Sequence, residues 1–198
     1  MKRTIGLLLS IFFICANIFP NWQRKVINYE RNQYKGGFQN WMIDQASNGW
    51  IYCANSVGLL EFDGTNWSLY NVRNNVLRAV KVIGDRIYVG GSSEFGFFEP
   101  NDIGLLTYKS LSEKTRDWGG EVWNILADES TIYFLSDRHI HIYNKKTDAI
   151  ITISASHKID CSTLVKNILY IGTSDGIFRL NKQNTLSLLQ SSEPLKGR

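Results

Sequence analysis

Trp50-Ile51-Tyr52-Cys53-Ala54, Arg86-Ile87-Tyr88-Val89-Gly90, Thr131-Ile132-Tyr133-Phe134-Leu135 and Ile168-Leu169-Tyr170-Ile171-Gly172 share one pattern: Ile or Leu, then Tyr, inside a short apolar run. The tyrosines recur at roughly 40-residue intervals (52 to 88, 88 to 133, 133 to 170), a period that marks a repeat architecture. Each run is followed by a turn and a second apolar stretch: Gly58-Leu59-Leu60-Glu61-Phe62, Gly96-Phe97-Phe98-Glu99, Ile140-His141-Ile142-Tyr143 and Gly176-Ile177-Phe178-Arg179-Leu180. Each is preceded by a third: Trp41-Met42-Ile43, Leu77 to Val82, Val122-Trp123-Asn124-Ile125-Leu126 and Ser162-Thr163-Leu164-Val165. A weaker fourth stretch closes each unit, at Trp67-Ser68-Leu69-Tyr70, Leu105-Leu106-Thr107-Tyr108, Ile150-Ile151-Thr152-Ile153 and Leu186-Ser187-Leu188-Leu189.

Four short antiparallel strands per unit of about 40 residues predict an all-β chain of β-propeller blades. The units fall at about 40–75, 76–110, 121–155 and 159–191, after a lead-in strand over 21–39. Turns at Asn48-Gly49, Gly84-Asp85 and Lys166-Asn167 use residues that tolerate positive φ, as tight hairpins require. A β-sandwich is the competing architecture, but it does not need the same dipeptide at one place in every unit. Tyr52, Tyr88, Tyr133 and Tyr170 are read as structural, each ring packing between adjacent blades. Gly58, Gly96 and Gly176 open the third strands. Four units give an incomplete ring, with two blade faces bare and in need of a partner.

The composition agrees. Aromatics make up 13% of the 198 residues, with 16 Gly and 3 Pro. Residues 1–20 read as a signal peptide: Lys2 and Arg3, then an apolar run from Ile5 to Ile14, ended by Asn17 and Pro20. The run is short for a membrane span, so export is expected over a retained anchor, and Ile14 argues against lipid attachment at Cys15. No other segment is apolar enough to span a membrane. Without that leader the 22 basic residues fall by two to 20, against 18 acidic. So small an excess, with no basic patch, argues against nucleic-acid binding. Cys53 and Cys161 either pair in the oxidising exterior or act as small buried hydrophobes.

Tyr34-Lys35-Gly36-Gly37-Phe38-Gln39-Asn40-Trp41, with Gly58 to Trp67 and Tyr88 to Phe98, resembles the start of the "two-component regulator propeller" sensors. More narrowly it is similar to the periplasmic parts of glycan-utilisation regulators of Gram-negative bacteria. These join propellers to a triple-tyrosine domain, a membrane helix and a LuxR-type or histidine-kinase output. The resemblance covers residues from about 26 onward and is specific in the first two units. It implies a periplasmic, glycan-responsive sensor domain acting in signal transduction and transcription regulation. The relatives carry many more blades, so the chain is expected to be a fragment lacking its output domain.

No catalytic constellation emerges, and the chain is expected not to be an enzyme and to need no cofactor or metal. Gly90-Gly91-Ser92-Ser93-Glu94 reads as a turn, not a phosphate cradle. Asp137, His139 and His141 form the one metal-like cluster, read as a solvated strand face. The expected binding surface is built by loops leading into the first strands and linking second to third strands. Trp118, Arg116, Glu94 and Arg138 are its candidate residues, the tryptophan stacking on a sugar ring. Trp41, Trp67 and Trp123 lie in strands and are read as core. The rival classes are a free-standing protein–protein interaction module and a propeller lyase or glycosidase.

Overall fold

A computed structural model describes residues 26–73, 76–115 and 119–190. The proposed leader, including Cys15, lies outside them. The described chain is four four-stranded antiparallel sheets, each strand paired with the next in sequence, and they do not close a ring. Blade 1 contains β1 (Asn40–Gln45), β2 (Ile51–Asn55), β3 (Gly58–Phe62) and β4 (Trp67–Tyr70). Blade 2 contains β5 (Leu77–Ile83), β6 (Arg86–Gly91), β7 (Glu94–Pro100) and β8 (Leu106–Ser110). Blade 3 contains β9 (Val122–Ala127), β10 (Thr131–Ser136), β11 (His139–Asn144) and β12 (Ile150–Ser154). Blade 4 contains β13 (Cys161–Val165), β14 (Ile168–Thr173), β15 (Gly176–Leu180) and β16 (Leu186–Leu188).

The second and third strands of blades 2 and 3 are largely apolar on both faces, because both faces meet a neighbouring blade, whereas blades 1 and 4 have one neighbour each among the described residues. Side chains of alternating parity therefore enter different cores. On β10, Ile132 and Phe134 pack towards blade 2, and Tyr133 and Leu135 towards blade 4. Three inter-blade cores result. Tyr52 lies in the first with Leu59, Val80 and Ile87. Tyr88 lies in the second with Phe95, Phe97, Val122 and Phe134. Tyr133 lies in the third with Ile142, Leu169 and Ile171. Tyr170 is half-buried on the far side of blade 4. Full burial of one large apolar side chain contributes about 1.5–3 kcal/mol, so each ring is one of several comparable contributions to its inter-blade core.

The turns follow their residues. Lys166 and Asn167 both have positive φ (50° and 61°), which closes the β13–β14 hairpin in two residues. Gly58 and Gly96 are set by close approach of the fourth strand. A Cβ there would lie 2.3 Å from the Tyr70 carbonyl and 2.2 Å from the Lys109 carbonyl, respectively.

The two outer faces differ in part and neither is fully closed: on blade 1, Ile43, which pairs with Cys53, is 65% exposed. Blade 4 leaves Val165 and Ile168 49% and 38% exposed. On blade 1, Leu60 and Cys53 are buried although no blade precedes them. The lead-in covers them. Tyr29 meets Phe62 and Trp67 at ring-centroid distances of 5.1 and 5.5 Å, and Gly36 lies against Leu60. Nor is the lead-in a strand: Arg31–Tyr34 form a helical turn, α1. Gln33 Oε1 accepts from the Glu30 amide at 2.7 Å, and Lys35 in the left-handed region ends the turn. Both side-chain capping and a left-handed exit are helix-end devices rather than strand ones. Asn55, fully buried, then anchors the segment. Its Oδ1 accepts from the Gly37 amide at 2.7 Å, and its Nδ2 donates to the Gly37 carbonyl at 3.1 Å.

Cys53 is buried, Cys161 is exposed, and both are free thiols. The pairing alternative is therefore not realised.

Candidate functional site

The first strands of blades 1, 2 and 3 each carry an irregularity at the same place. In β1 the register steps from Asn40↔Asn55 to Met42↔Ala54, leaving Trp41 unpaired. In β5 it steps from Leu77↔Gly91 to Ala79↔Gly90, leaving Arg78. In β9 it steps from Val122↔Ser136 to Asn124↔Leu135, leaving Trp123. Blade 4 has no such step, since Cys161↔Gly172 and Ser162↔Ile171 are consecutive. A bulge re-aims the extra side chain out of the pleat. Three equivalent bulges on adjacent inner strands thus send Trp41, Arg78 and Trp123 to one spot.

They meet there. The Trp41 and Trp123 ring centroids are 5.9 Å apart, at 67°. The Arg78 guanidinium lies 4.1 Å from the Trp41 ring and 5.5 Å from the Trp123 ring. Glu121, held beside the blade by its bridge to Ser92, fixes the arginine from the other side. Arg78 Nε donates to Glu121 Oε2 at 2.6 Å and Nη2 to Oε1 at 3.4 Å. A forked ion pair with aromatic stacking leaves Arg78 little rotational freedom. Both indoles nevertheless remain 42% exposed. Beside Trp123 opens a cleft of about 470 Å³, also lined by Met42, Asn124, Asp137, Lys158, Asp160 and Ser162. An aromatic face flanked by amide, carboxylate, ammonium and hydroxyl groups can stack on an apolar ring face while hydrogen-bonding its rim.

This cluster revises the sequence reading of Trp41 and Trp123 as core. Trp67 fits that reading better: it is half-buried and stacks on Phe62 at 4.7 Å. The bulges sit at the end of the blades where the expected binding loops lie, so the face is the expected one and its residues differ. Arg116 and Trp118 fall outside the described residues. Arg138 is exposed on the β10–β11 turn, next to the cleft residue Asp137. Glu94 is 2% exposed. Its Oε1 accepts from Tyr108 Oη at 2.8 Å, Ser110 Oγ at 2.7 Å and Ser112 Oγ at 2.9 Å. It is a buried anchor for the 3-10 turn Ser112–Lys114, not a ligand-facing carboxylate. Burial pushes the Tyr108 hydroxyl far above its usual range, and the Glu94 charge adds to it.

His139 and His141 share a face, ring centroids 6.0 Å apart, but that face is not solvated at His141. His141 is fully buried, stacked on Phe95 at 4.7 Å, with Nδ1 3.0 Å from Thr152 Oγ1. Gly90 and Gly91 serve packing: a Cβ at Gly91 would overlap the Val76 carbonyl at 1.8 Å.

No protein-family profile and no curated protein matches the chain. Solved structures do. The extracellular domain of a hybrid two component system, BT3049 from B. thetaiotaomicron, aligns with a TM-score of 0.62 at 14% identity, over 83% of this chain and 24% of that one. The extracellular domain of a second such system, BT4673 from the same organism, aligns with a TM-score of 0.58 at 18% identity, over 73% of this chain and 20% of that one. A protein of unknown function from Bacteroides caccae gives 0.54 at 12% identity, over 76% of this chain and 60% of that one. The chain spans about a quarter or less of the length of the two regulator domains. Among the described residues, no helix is long and apolar enough to cross a membrane. At these identities the likeness is one of fold, and it makes the chain a set of β-propeller blades of the kind those extracellular domains contain.

Proposed function

We propose that the chain is a periplasmic ligand-sensing propeller that works within a signal-transduction protein, and that its ligand is a saccharide held against Trp41 and Trp123. The bulge-borne Trp41–Arg78–Trp123 cluster carries this reading. Three successive blades each break their pairing to bring a large planar side chain to the same place. A merely structural axis would have no use for two indoles left open to solvent. The cleft next to Trp123 supplies hydrogen-bonding partners for sugar hydroxyls. The fold shared with extracellular domains of two-component regulators supports a sensing role. The chemistry is binding without turnover. Glu121 is paired with Arg78 and Glu94 is walled in by three hydroxyls, so neither of these is set up as an acid or base, and the cleft carboxylates Asp137 and Asp160 are assigned to hydrogen-bonding sugar hydroxyls.

The test is a titration of the folded chain with a panel of neutral oligosaccharides, followed by indole fluorescence. A saturable change with one class of glycan is expected, with no released product by chromatography. Trp123→Ala should abolish it, and Arg138→Ala should weaken it less. A panel without effect, or a Trp123→Ala protein that binds unchanged, would overturn the reading.

A further inference from the structure

On the outer wall, where blade 2 meets blade 3, a cleft of about 480 Å³ is lined by side chains of β6, β7, β8, β11 and the turns beside them. Phe97 and Tyr143 stack beneath it, ring centroids 6.3 Å apart at 29°. Four cations line it: Arg86, Lys109, Lys114 and Lys145. Two carboxylates answer them. Glu99 accepts from Arg86 Nε at 2.9 Å and pairs with Lys109. Asp148 pairs with Lys114 and accepts from Tyr143 Oη at 3.1 Å. Lys145 Nζ donates to the Asp128 carbonyl at 3.1 Å. Four positive charges against two negative leave an excess of two in one concavity.

The cations are also prearranged. The Arg86 guanidinium lies over the Phe97 ring, 4.4 Å from its centroid, and Nε is held by Glu99. Lys109 and Lys114 are held by carboxylates on opposite blades, Glu99 and Asp148, and both line the cleft. The hydrogen bond from Lys109 holds Glu99 below the usual carboxylate range, and that from Lys114 does the same for Asp148. Both acids therefore stay ionised at neutral pH, and the excess stays at two. Such a network is balanced when it serves only to join blades, and this one is not.

We propose that the cleft between blades 2 and 3 binds a sulfate or phosphate group, either as the free ion or as an ester on a saccharide. A tetrahedral oxyanion presents several acceptors, which suits a guanidinium fork and two ammonium groups approaching from different sides. The site is separate from the indole cluster and does not depend on it.

Isothermal titration with sodium sulfate, against sodium chloride at matched ionic strength, tests it. Saturable binding is expected for sulfate only. Lys145→Met and Lys109→Met keep the side-chain stems and should each weaken it about tenfold, a loss of roughly 1.4 kcal/mol. Lys182→Met, on the β15–β16 turn, and Trp123→Ala should leave it unchanged. Thermal unfolding of each variant reports whether it is folded. Where Lys145→Met fails to fold, Lys109→Met, at a 57% exposed side chain, carries the test. A sulfated disaccharide binding much more tightly than inorganic sulfate would assign the group to a saccharide. Equal binding would assign it to the free ion. Sulfate binding that is absent, non-saturating or unaffected by both folded lysine variants would overturn the proposal.

Discussion

Acidification should weaken this fold through one residue, His141. The imidazole is fully buried in the interface between blades 2 and 3, against Phe95. Burial, with the neighbouring His139 adding, lowers its pKa from 6.5 to about 4. The unfolded chain then binds a proton below pH 6.5 that the folded chain refuses until about pH 4. Stability is therefore intact above 6.5 and falls as pH drops through that window. The full difference corresponds to about 3.4 kcal/mol, of which about 2 kcal/mol is lost by pH 5. That is a large share of the 5–15 kcal/mol typical of a folded domain. The carboxylates whose pKa values are lowered (Asp63, Glu99, Asp128 and Asp148) lose their contribution as pH falls from their ordinary values of 3.8 to 4.5 through the depressed ones, which lies below the pH 5 comparison, so they do not mask the effect. Urea unfolding at pH 7.5 and pH 5 would measure it in the wild type and in His141→Phe. The phenylalanine preserves the stack, and Thr152, which is exposed, can bond to water instead. The variant should lose about 2 kcal/mol less on acidification than the wild type. Equal losses in the two proteins would refute the reasoning.

The other expectations concern packing and access. Asn55→Ala leaves the Gly37 amide without its partner, at a cost of about 1–3 kcal/mol, and trypsin cleavage after Lys35 should accelerate by an order of magnitude or more. Unchanged cleavage would mean that Asn55 does not hold the lead-in. A Cβ at Gly90 would lie 2.4 Å from Val122 Cγ1, which is β-branched and stiff. Gly90→Ala should therefore destabilise by about 1–3 kcal/mol in urea unfolding, with the midpoint moving and the slope constant. Of the two described thiols, Cys161 should react with an aromatic disulfide reagent in the native protein. Cys53, buried and with its pKa raised to about 11, should react only on unfolding.

Strand order was legible because a blade buries both faces of its middle strands. The resulting runs, such as Ile132 to Leu135 and Ile168 to Ile171, are short and bounded by small or polar residues, Thr131 and Ser136 for the first and Asn167 and Gly172 for the second. The repeating Ile/Leu-Tyr pair then set the unit length. The bulges were not legible as such, since one extra residue leaves no composition signal. A trace survives in spacing: buried Val122 and Ile125 are three apart where a regular strand would put them two or four apart. That offset was the available clue that Trp123 leaves the core. Glu94 misled for a different reason. Its charge suggested a surface, but the hydroxyls that bury it come from Tyr108, Ser110 and Ser112, some fifteen residues on. His141 misled in the same way, because Phe95, which covers it, belongs to another blade. Pairings across blades are long-range facts, and a local pattern does not carry them.

The partly covered outer face of blade 1 gives the array a direction. A stack of like units has two growing ends, and here residues 26–39 cover Leu60 and Cys53 at the first while Ile43 stays open. The ribosome delivers that segment ahead of every strand it packs on. Blade 1 can therefore bury Leu60 and Cys53 with chain already made, while each later blade must await a successor for its trailing side.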